Sequence, residues 1–428
     1  MIPFLLWGEI QVRLYCLLLT LFLSAAATAA EKASVTELIR LSISDRTAFR
    51  DALVASLGEG QIRKGTAVLG EGPYFIFAVE ADKAPVLVVD RAEVGPMSHV
   101  EGKLWYRVEQ LKRNTSHAFY FLVDGAPFGG SFNLPVPGPD SFEHSGVPRG
   151  KLSEKMIHTS KIYDGMVSDY WIYAAAGVDP SQPAPLMVWQ DGQGPADRTK
   201  SAAQVIFDNL TYQKKIPPMV YVFVAPGKVG TRAMRSIEYD TMNDAYDRFL
   251  RDEILPEVEK RYKLRADSYS RAIAGSSSGG ICSFNAAWRH PELFSRVHSW
   301  VGSFTSIQWH MGELDGGNVF PFLIRKTPEK KNIRVWLQDG AEDLENDHGS
   351  WPLENIMMAN SLKMKEYDFH LSFGQGTHGG VQGYAELPVS MTWLWRDYDP
   401  AKTEQKYEME PAEKAKPLFR VAIYNRDH

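Results

Sequence analysis

Six apolar segments alternate with amphipathic helices from about residue 160 onward, and this alternation constrains the fold more than any other feature. The segments are APLMVWQDG (184–192), PPMVYVFVAPG (217–227), YSRAIAGSS (269–277), SRVHSWVGSF (295–304), IRVWLQDG (333–340) and DFHLSFGQG (368–376). Helical spacing of apolar residues is clear in AYDRFLRDEILPEVEKRY (245–262) and PLENIMMANSLKMKEY (352–367). Buried strands that alternate with helices predict an α/β domain with a mainly parallel sheet covered on both faces.

The segment AGSSSGG (274–280) lies where one of these predicted strands passes into a helix. Only residues 275–279 fit the pattern G-x-S-x-G, which makes Ser277 the central serine. In such an elbow a sharp turn exposes the serine side chain, and the flanking glycines remove side chains that would collide. Reactive groups of a parallel sheet collect at the carboxyl ends of its strands. Ser277 is therefore the predicted nucleophile.

A serine hydroxyl needs a general base, and His378 is the predicted base. It stands in FGQGTHGG (373–380), directly after a predicted strand and between glycines. The imidazolium formed in the reaction needs a carboxylate, and VWLQDGAEDLEND (335–347) places acids after another strand. The chain order is serine, acid, histidine, as in α/β-hydrolases.

Four acids compete for the place beside His378. Asp343 lies a few residues into the loop, from which its side chain can reach across to the histidine, and it is the predicted partner. Glu342 and Asp347 remain alternatives. Asp339 ends the strand and precedes a glycine, so we predict a turn-forming role for it.

Acyl transfer also needs hydrogen-bond donors for the developing oxyanion. The backbone N–H of Ser278, directly after the predicted nucleophile, is one candidate. The second is expected in the loop VWQDGQGPADR (188–198). Gln193 is the first choice there and Gly192 the second, and an ordinary Asp-Gly turn is the alternative interpretation.

Three further residues are candidates for substrate contacts. Arg235 and Glu238 lie in RSIEYD (235–240), where a structural ion pair is the alternative interpretation. His348, in NDHGSW (346–351), is expected to line the site rather than to act as the base.

Together these segments resemble the esterase family that includes enterochelin, feruloyl and acetylxylan esterases. The blocks that carry the resemblance occur in order over roughly residues 160–397: VWQDGQG, RSIEYD with FLRDEILPEVEKRY, GSSSGGICSFNAAWRHPELF, LQDGAEDLEND and GQGTHGG. The resemblance implies an α/β-hydrolase fold and a serine esterase that needs no metal or other cofactor. It places Ser277, Asp343 and His378 at the positions of the family's catalytic triad.

The N-terminal part of the chain has a different texture. Arg13, the apolar run 14–23 and the small residues after it predict a secretory signal peptide over 1–30, with an uncleaved anchor as the alternative. Residues 31–150 are expected to form a helical segment and a small β-sandwich, which resembles the immunoglobulin-like module found before some of these esterase domains. The predicted esterase domain spans 151–398, and 399–428 is a charged tail.

Composition excludes several classes of function. The formal net charge of −5 gives no electrostatic case for nucleic-acid binding. Signal cleavage would leave Cys282 as the only cysteine, so an internal disulfide is not expected. No metal-ligand spacing, phosphate loop or dinucleotide fingerprint occurs.

The sequence thus predicts a secreted or periplasmic serine esterase without a cofactor and without stable membrane insertion. Its predicted substrate is an ester-bearing small molecule or polysaccharide, with feruloyl or acetyl groups favoured. Two alternatives remain: an esterase of siderophore-type trilactones, and a non-catalytic carbohydrate-binding protein on a hydrolase scaffold.

Overall fold

A computed structural model describes residues 32–422 of the chain. The predicted signal segment 1–30 and the last six residues of the predicted tail lie outside this range. By internal contacts the chain divides into two compact units. The first contains residues up to Leu87, Val94–Gln110 and Tyr120–Gly130, and the second contains Val88–Glu93, Leu111–Phe119 and the chain from Ser131 onward. The domain boundaries expected near residues 150 and 398 stay predictions.

The segments with helical spacing of apolar residues form helices, and further short helices lie elsewhere in the chain. In chain order they are α1 (Val35–Ser44), α2 (Arg46–Leu57), α3 (Glu59–Lys64), α4 (Gln193–Ala196), α5 (Ala203–Tyr212), α6 (Arg235–Tyr239), α7 (Ala245–Arg248), α8 (Leu255–Glu259), α9 (Ser278–Arg289), α10 (Phe320–Lys326), α11 (Trp351–Met364), α12 (Val381–Leu394) and α13 (Pro411–Lys414). A π-helical segment, Phe249–Ile254, joins α7 to α8.

The strands fall into two groups along the chain. The N-terminal group is β1 (Ala67–Glu71), β2 (Tyr74–Glu80), β3 (Val86–Val89), β4 (Ala92–Pro96), β5 (Ser98–Glu101), β6 (Leu104–Gln110), β7 (Thr115–Val123) and β8 (Ala126–Val136). The second group is β9 (Lys151–Leu152), β10 (Met156–Thr159), β11 (Val167–Ala174), β12 (Leu186–Gln190), β13 (Val220–Val224), β14 (Lys228–Val229), β15 (Arg232–Ala233), β16 (Arg271–Ser276), β17 (Arg296–Trp300), β18 (Arg334–Glu342), β19 (Glu345–Asn346), β20 (Gly349–Ser350) and β21 (Asp368–Thr377).

The N-terminal strands form two four-stranded sheets, with orders β1-β2-β6-β5 and β4-β3-β7-β8. In the first sheet neighbouring strands are antiparallel. Its buried residues share one core with the helices α1 to α3, including Leu38, Leu53 and Ile76. This core contains the helical segment predicted within 31–150, because the apolar stripe of these helices packs on the sheet. The immunoglobulin-like arrangement stays a prediction.

The second unit is built on a mixed sheet with the order β15-β14-β11-β13-β12-β16-β17-β18-β21. The six strands from β13 to β21 in this order are mutually parallel, and they arise from the six apolar segments. The strands β9, β10, β13 and β14 pair with β11 in antiparallel register. The predicted mainly parallel sheet is therefore confirmed, with an antiparallel edge in addition.

Both faces of this sheet are buried. Along β12, Leu186 and Val188 enter one core cluster and Met187 and Trp189 the other. Residues of α9, such as Phe284, join the first cluster, whereas residues of α5 and α12 join the second. Because alternate side chains of a strand point to opposite faces, two buried faces require the continuous apolar runs seen in the sequence.

Candidate active site

Three polar residues each follow a strand of the parallel sheet directly. Ser277 follows β16, Asp343 follows β18 and His378 follows β21. In the sheet order β16-β17-β18-β21 all neighbours are parallel, so these strands end at the same edge. The sheet topology brings together residues that lie up to 101 positions apart in the chain.

The elbow has the geometry that its pattern predicts. Ser277 has φ 59° and ψ −122°, a backbone conformation that residues other than glycine rarely adopt. Helix α9 begins at the next residue. A Cβ on Gly275 would lie 2.3 Å from the carbonyl oxygen of Gly279, so the turn requires glycine there. Ser276 is the last residue of β16 and Ser278 the first of α9. Only the middle serine of the three occupies the turn.

The side chains of Ser277, His378 and Asp343 form one hydrogen-bonded chain. His378 Nε2 lies 2.8 Å from Ser277 Oγ, and His378 Nδ1 lies 2.6 Å from Asp343 Oδ1. A carboxylate can only accept, so Nδ1 carries the proton and Nε2 is free to accept from the serine hydroxyl. The Asp343 side chain is fully buried and that of His378 is 23% exposed. The arrangement can remove the hydroxyl proton of Ser277 as the oxygen attacks a substrate.

The other three acids occupy different surroundings. Glu342 is exposed and lies 3.8 Å from Arg91, and Asp347 is exposed in the turn between β19 and β20. Asp339 is fully buried inside β18, so the prediction that it forms a turn is wrong. The strand leaves its regular pairing with β21 only after Asp339, because the register is irregular between Gly340 and Glu342.

A further hydroxyl touches the predicted nucleophile. Ser303 Oγ lies 3.2 Å from Ser277 Oγ and accepts a hydrogen bond of 3.1 Å from Trp351 Nε1. The Ser303 N–H also donates to the Ser277 carbonyl at 3.0 Å. Sequence reasoning missed this residue. Its signal was the position of VGSF (301–304) after the strand that lies between those of the serine and the acid.

The two first-choice oxyanion donors are both available. Within residues 32–422, neither the Ser278 N–H nor the Gln193 N–H donates to a protein acceptor, because each opens a helix. The N–H of Gly192, the second choice, donates to the Val224 carbonyl at 2.9 Å. Asp191 precedes it with φ 54° and shapes the turn after β12.

Arg235 connects that turn to the elbow. It binds both carboxylate oxygens of Asp191, and it donates to Ser278 Oγ at 3.0 Å and to the Ser276 carbonyl at 3.3 Å. Burial opposes the charge of this guanidinium, but the hydrogen bonds and charge of Asp191 outweigh it and raise the Arg235 pKa. The alternative interpretation of Arg235 as part of an ion pair describes its contacts.

The side chains of Glu238 and His348 form no hydrogen bond with Ser277, His378 or Asp343. Glu238 is 2% exposed and accepts from the Gly227 N–H at 2.8 Å, and burial raises its pKa to about 7. His348 is exposed, and its carbonyl accepts from the backbone and hydroxyl of Ser306 at 2.8 and 2.7 Å.

The described residues contain no group of three or more His, Cys, Asp or Glu side chains that could hold a metal ion. None of their helices is long and apolar enough to span a membrane.

Two esterases are among the solved structures with a similar fold. The ferric enterobactin esterase of Salmonella typhimurium has a TM-score of 0.51 at 16% identity, covering 76% of this chain and 93% of that one. The enterobactin esterase of Shigella flexneri has a TM-score of 0.51 at 18% identity, covering 79% and 97%. These likenesses define an α/β-hydrolase-like fold.

A family model matches the central part of the sequence. Residues 170–380 match the family model described as "Putative esterase", which confirms the predicted family resemblance and supports an ester hydrolase. The endo-1,4-beta-xylanase/feruloyl esterase of Xylanibacter ruminicola is 30% identical over 168 residues, 39% of this chain and 20% of that protein. The iron(III) enterobactin esterase of Dickeya dadantii is 28% identical over 134 residues, 31% and 29% of the two chains. The matched part is less than a third of either relative.

Proposed function

We propose that this protein is a secreted serine esterase that hydrolyses carboxylic esters through an acyl-enzyme. The observation that carries the proposal is the hydrogen-bonded chain from Ser277 through His378 to Asp343, with contacts of 2.8 and 2.6 Å. A hydroxyl, an imidazole in the correct tautomer and a buried carboxylate are the groups that nucleophilic acyl transfer needs. Secretion rests on the predicted signal segment 1–30.

In the proposed reaction Ser277 Oγ attacks the acyl carbon while its proton passes to His378 Nε2. The backbone N–H groups of Ser278 and Gln193 stabilise the oxyanion. The ester C–O bond then breaks, and the leaving alkoxide takes the proton from His378. Water, deprotonated by the same imidazole, hydrolyses the acyl-enzyme and restores Ser277. Asp343 remains ionised throughout and stabilises the imidazolium.

The favoured substrate is a feruloyl or acetyl ester of a polysaccharide. The relative from X. ruminicola, whose name combines xylanase and feruloyl esterase, supports this class. The predicted secretion supports it as well, because polymeric glycans are degraded outside the cell. A siderophore-type trilactone is the second candidate, and the relative from D. dadantii favours it.

A fluorophosphonate probe tests the reaction type, and a substrate panel tests the class. We expect the wild-type protein to be labelled and Ser277→Ala not to be. A non-catalytic binding protein would not be labelled at all. Rates on feruloylated and acetylated xylan fragments, simple aryl esters and enterobactin then rank the substrates. Higher kcat/KM on enterobactin than on every glycan ester would replace the polysaccharide proposal with the trilactone alternative.

A further inference from the structure

Asp339 is a buried acid beside the acid of the proposed triad. It is fully buried in β18, and the Asp343 side chain is fully buried as well. Asp339 Oδ1 accepts from the Gly340 N–H at 2.8 Å, whereas its Oδ2 has no assigned partner and neither has Oδ2 of Asp343. The two carboxyl groups lie within hydrogen-bonding reach of each other. No cation pairs with Asp339 among residues 32–422.

Two ionised carboxylates in contact would be very costly at a buried site, so one of them holds a proton. Asp343 Oδ1 accepts two hydrogen bonds, from the Leu344 N–H at 2.5 Å and from His378 Nδ1 at 2.6 Å. These donors stabilise the ionised form of Asp343. Asp339 has one such donor. Burial and the neighbouring charge of Asp343 raise the Asp339 pKa well above its ordinary value.

The other group that faces Asp339 is neutral. Asn355, on α11, interacts with the Asp339 carboxyl, and its Nδ2 donates to the carbonyls of Gly302 at 3.0 Å and Trp351 at 3.1 Å. Since both Nδ2 protons are used there, Asn355 cannot replace a cation. The proton therefore belongs on Asp339, and the unpartnered Oδ2 of Asp343 is an acceptor for it.

We propose that Asp339 is a positioning residue of the esterase site, whose protonated carboxyl donates a hydrogen bond to Oδ2 of Asp343. This inference rests on the proposed function. The bond prevents rotation of the Asp343 carboxylate and leaves Oδ1 directed at His378. It also satisfies a buried oxygen that would otherwise have no partner. The site thus combines an ionised carboxylate, Asp343, with a protonated carboxyl group, Asp339, that fixes the orientation of the carboxylate.

Two substitutions of similar size separate this role from ordinary packing. In Asp339→Asn, the amide oxygen can accept from Gly340 and the NH₂ can donate to Asp343, so we expect kcat/KM within about threefold of the wild type. Asp339→Leu has neither group, and we expect a loss of about 10–100-fold. In the leucine variant no hydrogen bond from residue 339 reduces the negative charge of the Asp343 carboxylate, so this carboxylate stabilises the imidazolium of His378 more strongly. The acidic limb of kcat/KM should therefore move to higher pH by about one unit.

The assays use the full chain and an aryl ester, with melting temperatures for every variant. Asp164→Asn and Asp164→Leu, at an exposed position, are the matched controls. The proposal is wrong if folded Asp339→Asn loses more than about 30-fold, or if Asp339→Leu keeps the wild-type rate and pH profile. If the leucine variant fails to fold, the asparagine variant decides. Failure of the asparagine variant to fold also overturns the proposal, since it keeps both bonds. An inactive, unlabelled wild-type protein would instead refute the proposed function.

Discussion

The guanidinium of Arg235 binds the carboxylate of Asp191 through two parallel hydrogen bonds, Nε to Oδ1 and Nη2 to Oδ2, each 2.8 Å long. A third bond, to Ser278 Oγ, extends this fork to the first residue of α9. The fork therefore connects the two backbone segments that carry the proposed oxyanion donors, the turn before Gln193 and the elbow. Because one guanidinium binds both segments, we expect Arg235 to set the distance between the two donors.

Arg235→Lys should lower kcat/KM by about 10–100-fold, because an ammonium cannot form the planar fork. Loss of the oxyanion geometry should reduce kcat more than it raises KM. Arg232→Lys, at an exposed position of β15, is the control and should stay near the wild type. A double-mutant cycle with Asp191→Asn measures the coupling, and additive effects of the two substitutions would contradict a shared role.

The three consecutive serines should differ sharply. Ser277→Ala should abolish ester hydrolysis, whereas Ser276→Ala and Ser278→Ala should retain most of it. Alanine keeps the main-chain N–H of residue 278, but it removes the acceptor for Arg235, so we expect the larger of the two small losses there, about tenfold or less. Initial rates on an aryl ester measure all three. Equal inactivity of Ser277→Ala and Ser278→Ala would show that the elbow register is wrong.

The acids near His378 can be ranked in the same way. Asp343→Asn should lower kcat by roughly 10³- to 10⁴-fold with little change in folding, because an amide neither fixes the tautomer nor stabilises the imidazolium. Glu342→Gln and Asp347→Asn should cost roughly tenfold or less, since both side chains are exposed. The measurement is kcat together with the melting temperature. Near-normal activity of Asp343→Asn with collapse of a neighbour would assign the acid elsewhere.

Asn133, in β8, binds the residue that precedes His378. Asn133 donates to Thr377 Oγ1 at 2.6 Å and accepts from the Thr377 N–H at 3.1 Å, directly before His378. Asn133→Ala should lower kcat/KM by about tenfold and leave most of the stability, because two hydrogen bonds that orient the histidine loop are lost. Initial rates on an aryl ester, with the melting temperature, measure this.

A shortened chain that begins near residue 155 loses the same two hydrogen bonds from Asn133 and should be less active and less stable. Full activity on a polymeric substrate together with full thermal stability of that shortened chain would contradict the expectation.

Asp247 should make stability depend on pH. Its side chain is buried without a hydrogen-bond partner, and burial raises its pKa to about 7. The folded state therefore holds a proton that the unfolded chain, with a pKa near 3.8, releases. The contribution is fully present below about pH 4 and is lost as the pH rises to 7. Asp247→Leu should remove this decline. Its unfolding free energy, measured with urea, should therefore improve relative to that of the wild type by roughly 2 kcal/mol as the pH rises from 5 to 8. Asp252→Asn, at an exposed acid, is the control, and equal pH slopes for Asp247→Leu and the wild type would refute the role.

The sequence by itself determined the layers of the second unit and the segments that form its parallel strands. Unbroken apolar runs such as VWLQ (335–338) are required wherever both faces of a strand are buried, so period and length identify them without tertiary information. The elbow was equally local, since its glycines and its turn lie within five residues. These features allowed Ser277 and His378 to be placed at strand ends before any contact was known.

Only the tertiary structure decided which side chains meet at that edge. Asp343 reaches His378 while Glu342, its direct neighbour, points to solvent, because the irregular pairing after Gly340 turns successive residues in different directions. Ser303 lies in the loop after β17 and Asn133 lies in β8, and each reaches the site from a segment distant in sequence. The position of Ser303 after a strand is its one sequence signal, and no local pattern marks Asn133. The glycine after Asp339 predicts a turn there, but Asp339 is buried in β18. Such contacts depend on strand pairing and on the packing of α11, which are sums over many residues far apart in the chain.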